Sequence, residues 1–204
     1  IKYYDENDDY SDIKTNFKGQ VNMPVMITNI CLYPDRNKML LEEVYNCVKE
    51  GRKILILSDR RDHLKMLNKV LTEQDISNGF YLGGMKQQDL KESEEKQVML
   101  GTFSMASEGF DCKTLNTIIL ASPKSNIEQA VGRILRQKKE DREFVPMVID
   151  IIDNFSIFTR QGDKRVKFYK KNKYDIIDVC LDPREKNKGG DNDVYQFHSD
   201  SEEE

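Results

Sequence analysis

Ile54-Leu55-Ile56-Leu57 is a run of four aliphatic residues with no polar position, between Lys53 and Ser58-Asp59-Arg60. A strand with one wet face would alternate, so a strand that is apolar throughout must be covered on both sides, as in a parallel sheet sandwiched by helices. Working outward, Val98–Thr102, Thr117–Ala121 and Val145–Ile152 read the same way, and Phe80–Leu82 supplies a shorter strand. Between them run amphipathic stretches. Asn37–Lys49 sets Met39, Leu40, Val44 and Cys47 on one face before Gly51. Asp62–Leu71 does the same with Leu64, Leu67, Val70 and Leu71, and Asp89–Glu95 reads as a polar helix. The class is α/β, a doubly wound and mostly parallel sheet with helices on both faces. Val25–Leu32, rich in β-branched residues, is expected to be the first strand. Ser125 and Glu128 have the spacing of a capping box ahead of Ala130, Val131, Ile134 and Leu135, and Phe155–Lys171 closes the domain as a helix with a basic far end.

The chain has 204 residues and a net charge of −4, with its acid gathered at the ends. Residues 13–190 hold 31 basic and 25 acidic side chains, a balance that permits a polyanionic partner. Neither end has a sustained apolar period, so three parts are expected: an acidic flexible segment over 1–22, a domain over 23–181, and an acidic disordered tail over 182–204. No apolar run approaches the roughly 20 residues of a membrane-spanning helix. Cys31, Cys47, Cys112 and Cys180 lie far apart with no CxxC pair, and the histidines are His63 and His198. Reduced thiols, an intracellular compartment (cytoplasmic or nuclear) and no metal site are the expectation.

The chemistry is concentrated in Gln129-Ala-Val-Gly132-Arg133-Ile-Leu-Arg136. On a helix Arg133 and Arg136 share a face, with Gln129 one turn before Arg133. Two planar guanidinium forks facing one way suit a phosphate chain, although a solvated basic stripe would look the same in isolation.

Gln-x-x-Gly-Arg-x-x-Arg resembles motif VI of superfamily 2 helicases. Thr102-Phe-Ser-Met-Ala-Ser-Glu108-Gly109-Phe-Asp111 resembles motif V, Ile54–Arg60 resembles motif IV, and Gly83-Gly84 resembles the glycine turn between them. The order is the family's. Pro34-Asp35-Arg36-Asn37, and Val148-Ile-Asp150-Ile-Ile-Asp153 followed by Phe155, Phe158, Arg165 and Tyr169, look like the UvsW-type and XPB-like translocases, which act on DNA and have relatives in large DNA viruses.

The resemblance implies the second RecA-like domain of a motor. Arg136 would be the arginine finger, Arg133 would support the same phosphates, and Gln129 would lie near the γ-phosphate or the attacking water. Gly109 and Asp111 would meet the nucleotide. Ser58, Arg60, Gly83, Gly84 and Thr102 would line the backbone of a DNA strand, with RNA as the alternative. In a virus the compartment would be the viral factory. Two departures stand out: Ala130 replaces an arginine found in DEAD-box relatives, and one extra residue between Thr102 and Gly109 leaves the roles of Ser104 and Ser107 open.

The phosphate loop Gly-x-x-x-x-Gly-Lys-[Ser/Thr] and the Asp-Glu box do not occur in these residues. ATP with Mg2+ would then be bound mainly by an N-terminal RecA-like domain of the same parent chain, preceding Ile1, and the fragment alone would be inactive. A non-catalytic nucleic-acid-binding module derived from such a domain is the rival. A dinucleotide-binding fold would want Gly-x-Gly-x-x-Gly after its first strand, which Gly51-Arg-Lys does not supply. The run Arg160, Lys164, Arg165, Lys167, Lys170, Lys171 and Lys173 offers either a DNA-facing patch or a solvated face, and Arg61 and His63 read as surface residues of a helix start.

Overall fold

A computed structural model describes residues 1–108, 112–132 and 142–185. Five strands form a parallel sheet: β2 (Ile54–Leu57), β3 (Asn78–Tyr81), β4 (Val98–Gly101), β5 (Thr117–Leu120) and β6 (Met147–Asp150), in the order β3-β4-β2-β5-β6. The all-apolar strands are explained by two cores. Ile54, Ile56, Val98, Leu100 and Ile119 face α2 (Met23–Leu32), α3 (Pro34–Lys49) and α4 (Arg61–Glu73). Leu55, Leu57, Met99, Ile118 and Leu120 face α5 (Gln87–Glu95), α6 (Phe103–Glu108) and α7 (Glu128–Val131). Every side chain of β2 is at most 1% exposed, so neither face of the sheet's centre meets water.

A second parallel sheet joins the start of the chain to two later segments. β1 (Lys2–Tyr3) lies between β7 (Ile152–Asp153) and β8 (Cys180–Leu181), and α1 (Asp8–Ser11) follows it. The start of the chain is therefore packed, contrary to the expected flexible segment over 1–22. Tyr10 is 1% exposed and donates to Asp153 Oδ1 at 2.9 Å, with its ring edge-on to Tyr3. Residues 182–185, expected to belong to the tail, are also packed. Asp182 is fully buried, accepting from Asn154 and Arg184, and Glu185 bonds Lys2 and Asn154. The rest of the expected tail, 186–204, lies outside the described residues.

Two further expectations are corrected. Val25–Leu32 is helix, not strand: Asn22 caps it by accepting from the Val25 amide, Pro24 fits its first turn, and Met26, Ile27, Ile30 and Cys31 make a buried face at helical spacing. Tertiary burial overrides the β-branched propensity. The capping box does not form, because α7 begins at Glu128 with Ile127 at its N-cap and no side-chain cap.

Two buried ion pairs hold the carboxyl ends of β6 and β7. Arg36 grips Asp153 through Nε and Nη2 at 2.6 and 3.0 Å and donates to the Ala121 carbonyl. Burial opposes the Arg36 charge, but Asp153 more than offsets it and keeps the guanidinium pKa above its ordinary value. Arg165 pairs with Asp150, whose carboxylate also accepts from Tyr169. Arg165 belongs to α8 (Ser156–Lys171), and its burial removes it from any surface patch.

Candidate nucleotide and strand interface

In a parallel sheet all strands end at one edge, and ligands of open α/β sheets bind outside the carboxyl ends. Here Leu57 is level with Gly101 and Leu120, and Tyr81 with Gly101, so Ser58, Leu82, Thr102 and Ala121 emerge side by side. Segments far apart in sequence are thus gathered at one edge: Ser58-Asp59-Arg60, Gly83-Gly84 and Thr102. Cross-links fix them. The Ser58 amide donates to the Gly101 carbonyl, the Asp59 amide to Ser122 Oγ, and Lys124 pairs with Asp59 at 2.8 Å while its ammonium sits over the Phe103 ring.

Each residue singled out earlier has a distinct setting. Arg60 is half-buried; its Nε donates to Thr28 Oγ1, and Nη1 and Nη2 to the Asp59 and Pro24 carbonyls. Three of its five N–H groups are thus engaged, which leaves two for a ligand. Gly83 and Gly84 are exposed, and Gly84 has φ +89°, a conformation that β-carbon-bearing residues rarely adopt. Their amides can be approached closely. Thr102 Oγ1 shares a hydrogen bond with Ser104 Oγ at 3.1 Å, and Ser107 Oγ donates to the Phe103 carbonyl. Gln129 is exposed on α7, beside the buried Ala130 and Val131 that dock the helix. Gly109, Asp111, Arg133 and Arg136 lie outside the described residues.

Residues 35–138, just over half of the chain, match the model of the helicase conserved C-terminal domain. The chain belongs to this family. Among curated relatives, the protein named "Putative ATP-dependent RNA helicase L396" of Acanthamoeba polyphaga mimivirus is 38% identical over 86% of this chain and 35% of its own length. "Putative ATP-dependent RNA helicase QP509L" of African swine fever virus (isolate Pig/Kenya/KEN-50/1950) is 34% identical over 61% of this chain and 26% of its own, and "Probable helicase D10" of Escherichia phage T5 is 25% identical over 81% and 39%. The chain spans about a third of the length of these relatives. Among solved structures, T4 UvsW shares the fold at TM-score 0.62 and 18% identity over 78% of this chain and 37% of that one. The C-terminal part of the Fun30 ATPase domain does so at 0.55 and 15% over 66% and 46%.

In this helicase C-terminal domain the Ser58 hydroxyl does not reach the surface. It is fully buried, 3.1 Å from His63 Nδ1, and accepts from the Arg60 amide. His63 is also fully buried, which corrects its reading as a surface residue of a solvated helix start. Burial, with the nearby Arg36 charge, pushes its pKa down to about 3, so the ring is neutral. The tautomer follows from its partners. Asn37 donates its amide to the Cys31 carbonyl, which turns Oδ1 toward His63 Nε2 at 2.9 Å; Nε2 therefore carries the proton, and Nδ1 accepts from Ser58. The chain Asn37–His63–Ser58 thus ends on the backbone of Arg60. A signal for it exists in the sequence, since His63 lies four residues before Leu67 and eight before Leu71, on the buried stripe of α4. Arg61, by contrast, is exposed and reaches the Gly83 carbonyl. Among the described residues no group of His, Cys, Asp or Glu is placed to hold a metal ion, and burial raises the Cys31 and Cys47 thiols to about 11, far from thiolate chemistry.

Proposed function

We propose that this chain is the second motor domain of an ATP-dependent nucleic-acid helicase or translocase. The observation that carries the reading is the gathering of Arg60, Gly83, Gly84 and Thr102 at one carboxyl edge, in a chain that belongs to the helicase C-terminal family. The free N–H groups of Arg60, the open amides of Gly83 and Gly84, and the Thr102 hydroxyl hold phosphate oxygens of a strand; Ser58 serves as the anchor that fixes the Arg60 backbone. Such contacts position a strand without reading its sequence. They also accept either nucleic acid: the UvsW-type resemblance implies DNA, whereas the mimivirus and swine fever virus relatives carry RNA in their names.

Gln129, Arg133 and Arg136 face the ATP phosphates across a cleft, with Gly109 and Asp111 at the nucleotide. The residues fit that role by chemistry. Guanidinium forks and an exposed amide can engage phosphoryl oxygens, whereas the phosphate loop and magnesium carboxylates belong to the N-terminal RecA-like domain of the parent. ATP with Mg2+ supplies the phosphoryl group and its charge neutralisation; this chain's arginines stabilise charge on the transferred group and orient it. No helix of the described residues is long and apolar enough to cross a membrane, and the proposed setting is intracellular, a viral factory if the source is a virus.

ATPase assays on the purified chain and on its full-length parent test the reading. The parent is expected to turn over ATP with stimulation by nucleic acid, and the chain alone to match buffer. Magnesium-dependent turnover by the chain alone would overturn the half-site, and a parent without ATPase would favour the non-catalytic binding module.

A further inference from the structure

Four of the six cations of α8 share one face of the helix. At 3.6 residues per turn, Arg160, Lys164, Lys167 and Lys171 fall within an arc of roughly 60°. All four are exposed, and the buried side, Phe158, Gly162, Arg165 and Tyr169, lies opposite. The helix carries one carboxylate, Asp163, on the flank of the stripe. Among the described residues none of the four cations has a carboxylate within ion-pair distance. In a chain of net charge −4, this is a segregated positive face.

Its position ties it to the carboxyl edge. Arg165, on the opposite side of the helix, bonds Asp150 and the Ile151 and Lys124 carbonyls, which clamps α8 across the ends of β5 and β6. Gln161 Nε2 lies 3.5 Å from Met23 Sδ, and the next residue, Pro24, gives its carbonyl to Arg60. The first half of α8 therefore sits beside the α2 end that steadies Arg60.

We propose that the stripe Arg160, Lys164, Lys167 and Lys171 binds the phosphodiester backbone of a nucleic-acid strand, as a second track beside the interface at the carboxyl edge. The proposal rests on the strand-binding part of the function proposed above. At 1.5 Å per residue the stripe is roughly 16 Å long, which matches about five phosphates of a stacked strand at 3.4 Å each. Its arc contains no apolar side chain to anchor a protein partner, whereas four long cations on one line suit a repeating anion.

The test is fluorescence anisotropy of labelled single-stranded DNA and RNA against salt, with thermal melting by circular dichroism as the folding control. The variant Arg160→Gln/Lys164→Gln/Lys167→Gln/Lys171→Gln should melt as the parent sequence does, bind at least tenfold more weakly at low salt, and lose about 3 from its log-log salt slope, at about 0.7 per phosphate. Lys164→Arg/Lys167→Arg/Lys171→Arg should retain both. If the fourfold variant does not fold, the pairs Arg160→Gln/Lys164→Gln and Lys167→Gln/Lys171→Gln should each lose about half of that slope. A neutralised variant that kept affinity and slope would overturn the stripe and leave the carboxyl-edge interface standing. An unaltered chain that bound neither strand at the lowest salt would remove both. Polyglutamate displacing the strand as well as an oligonucleotide of equal charge would reassign the stripe to an acidic protein.

Discussion

His63 shows how one side chain can link the interior to the carboxyl edge of the sheet. Its neutral ring accepts from Ser58 and donates to Asn37, and protonation would place a second donor against the Ser58 hydroxyl and a charge near Arg36. The pKa in the fold, about 3, is below the ordinary 6.5, so the unfolded chain takes up the proton first as pH falls. The contribution of His63 to stability is therefore complete above pH 6.5 and declines as pH drops toward 3. Its slope is about 1.36 kcal/mol per pH unit, so about 2 kcal/mol should be lost between pH 6.5 and 5. Urea unfolding at these two pH values checks this, with His63→Gln as the comparison. If the variant kept the same pH slope, the titrating group would be another. The buried setting was within reach of the sequence through the α4 stripe, but the Asn37 and Ser58 partners were not, since three elements must fold together before they meet.

At the scale of elements, α8 depends on one close approach. A β-carbon on Gly162 would overlap Ile152 Cγ2, so the helix reaches β7 only because that position is bare. Gly162→Ala should raise helix propensity by about 1 kcal/mol, yet the overlap is with a buried side chain of a paired strand, and overpacking of that kind costs about 1–3 kcal/mol. The net expectation is a lowered melting temperature, largely restored when Ile152→Ala is added. Independent effects of the two substitutions would show that the contact does not govern docking. The sequence makes α8, α4 and the central strands legible, because their apolar periods agree with their burial. It misleads at α2, where Val25, Ile27, Thr28 and Ile30 favour a strand locally and the capping Asn22 with Pro24 decides for a helix. The Ser125/Glu128 spacing fails for a related reason: the helix start is placed by burial of Ile127, Ala130 and Val131, not by a cap.

For the whole molecule, the class and the order of the central segments could be read from the chain, but the second sheet at Lys2–Tyr3 could not. β1 is two residues long and acidic sequence follows it, so only its pairing with β7 and β8 marks it as structure. Removing residues 1–11 is expected to leave Asp153 without its Tyr10 partner and both neighbouring strands unpaired, and to abolish a single cooperative melting transition; unchanged melting would return this segment to the status of a tail. The proposed motor cycle would run in the parent protein, with Arg136 as its proposed finger. An ammonium is a compact point charge and cannot reproduce a two-pronged guanidinium grip, so Arg136→Lys should fail almost as badly as Arg136→Ala. The loss should be about 10³–10⁵ in turnover, or about 4–7 kcal/mol of transition-state stabilisation. Binding of nucleotide and strand should change far less, because the contact tightens only as charge moves onto the transferred phosphoryl group. Arg60→Ala should give the converse profile, weaker strand binding with the nucleic-acid-independent ATPase intact, since its two remaining N–H groups are proposed to hold the strand and not the nucleotide. Near-normal ATPase in a folded Arg136→Lys parent would move the finger to Arg133, three residues earlier in the sequence.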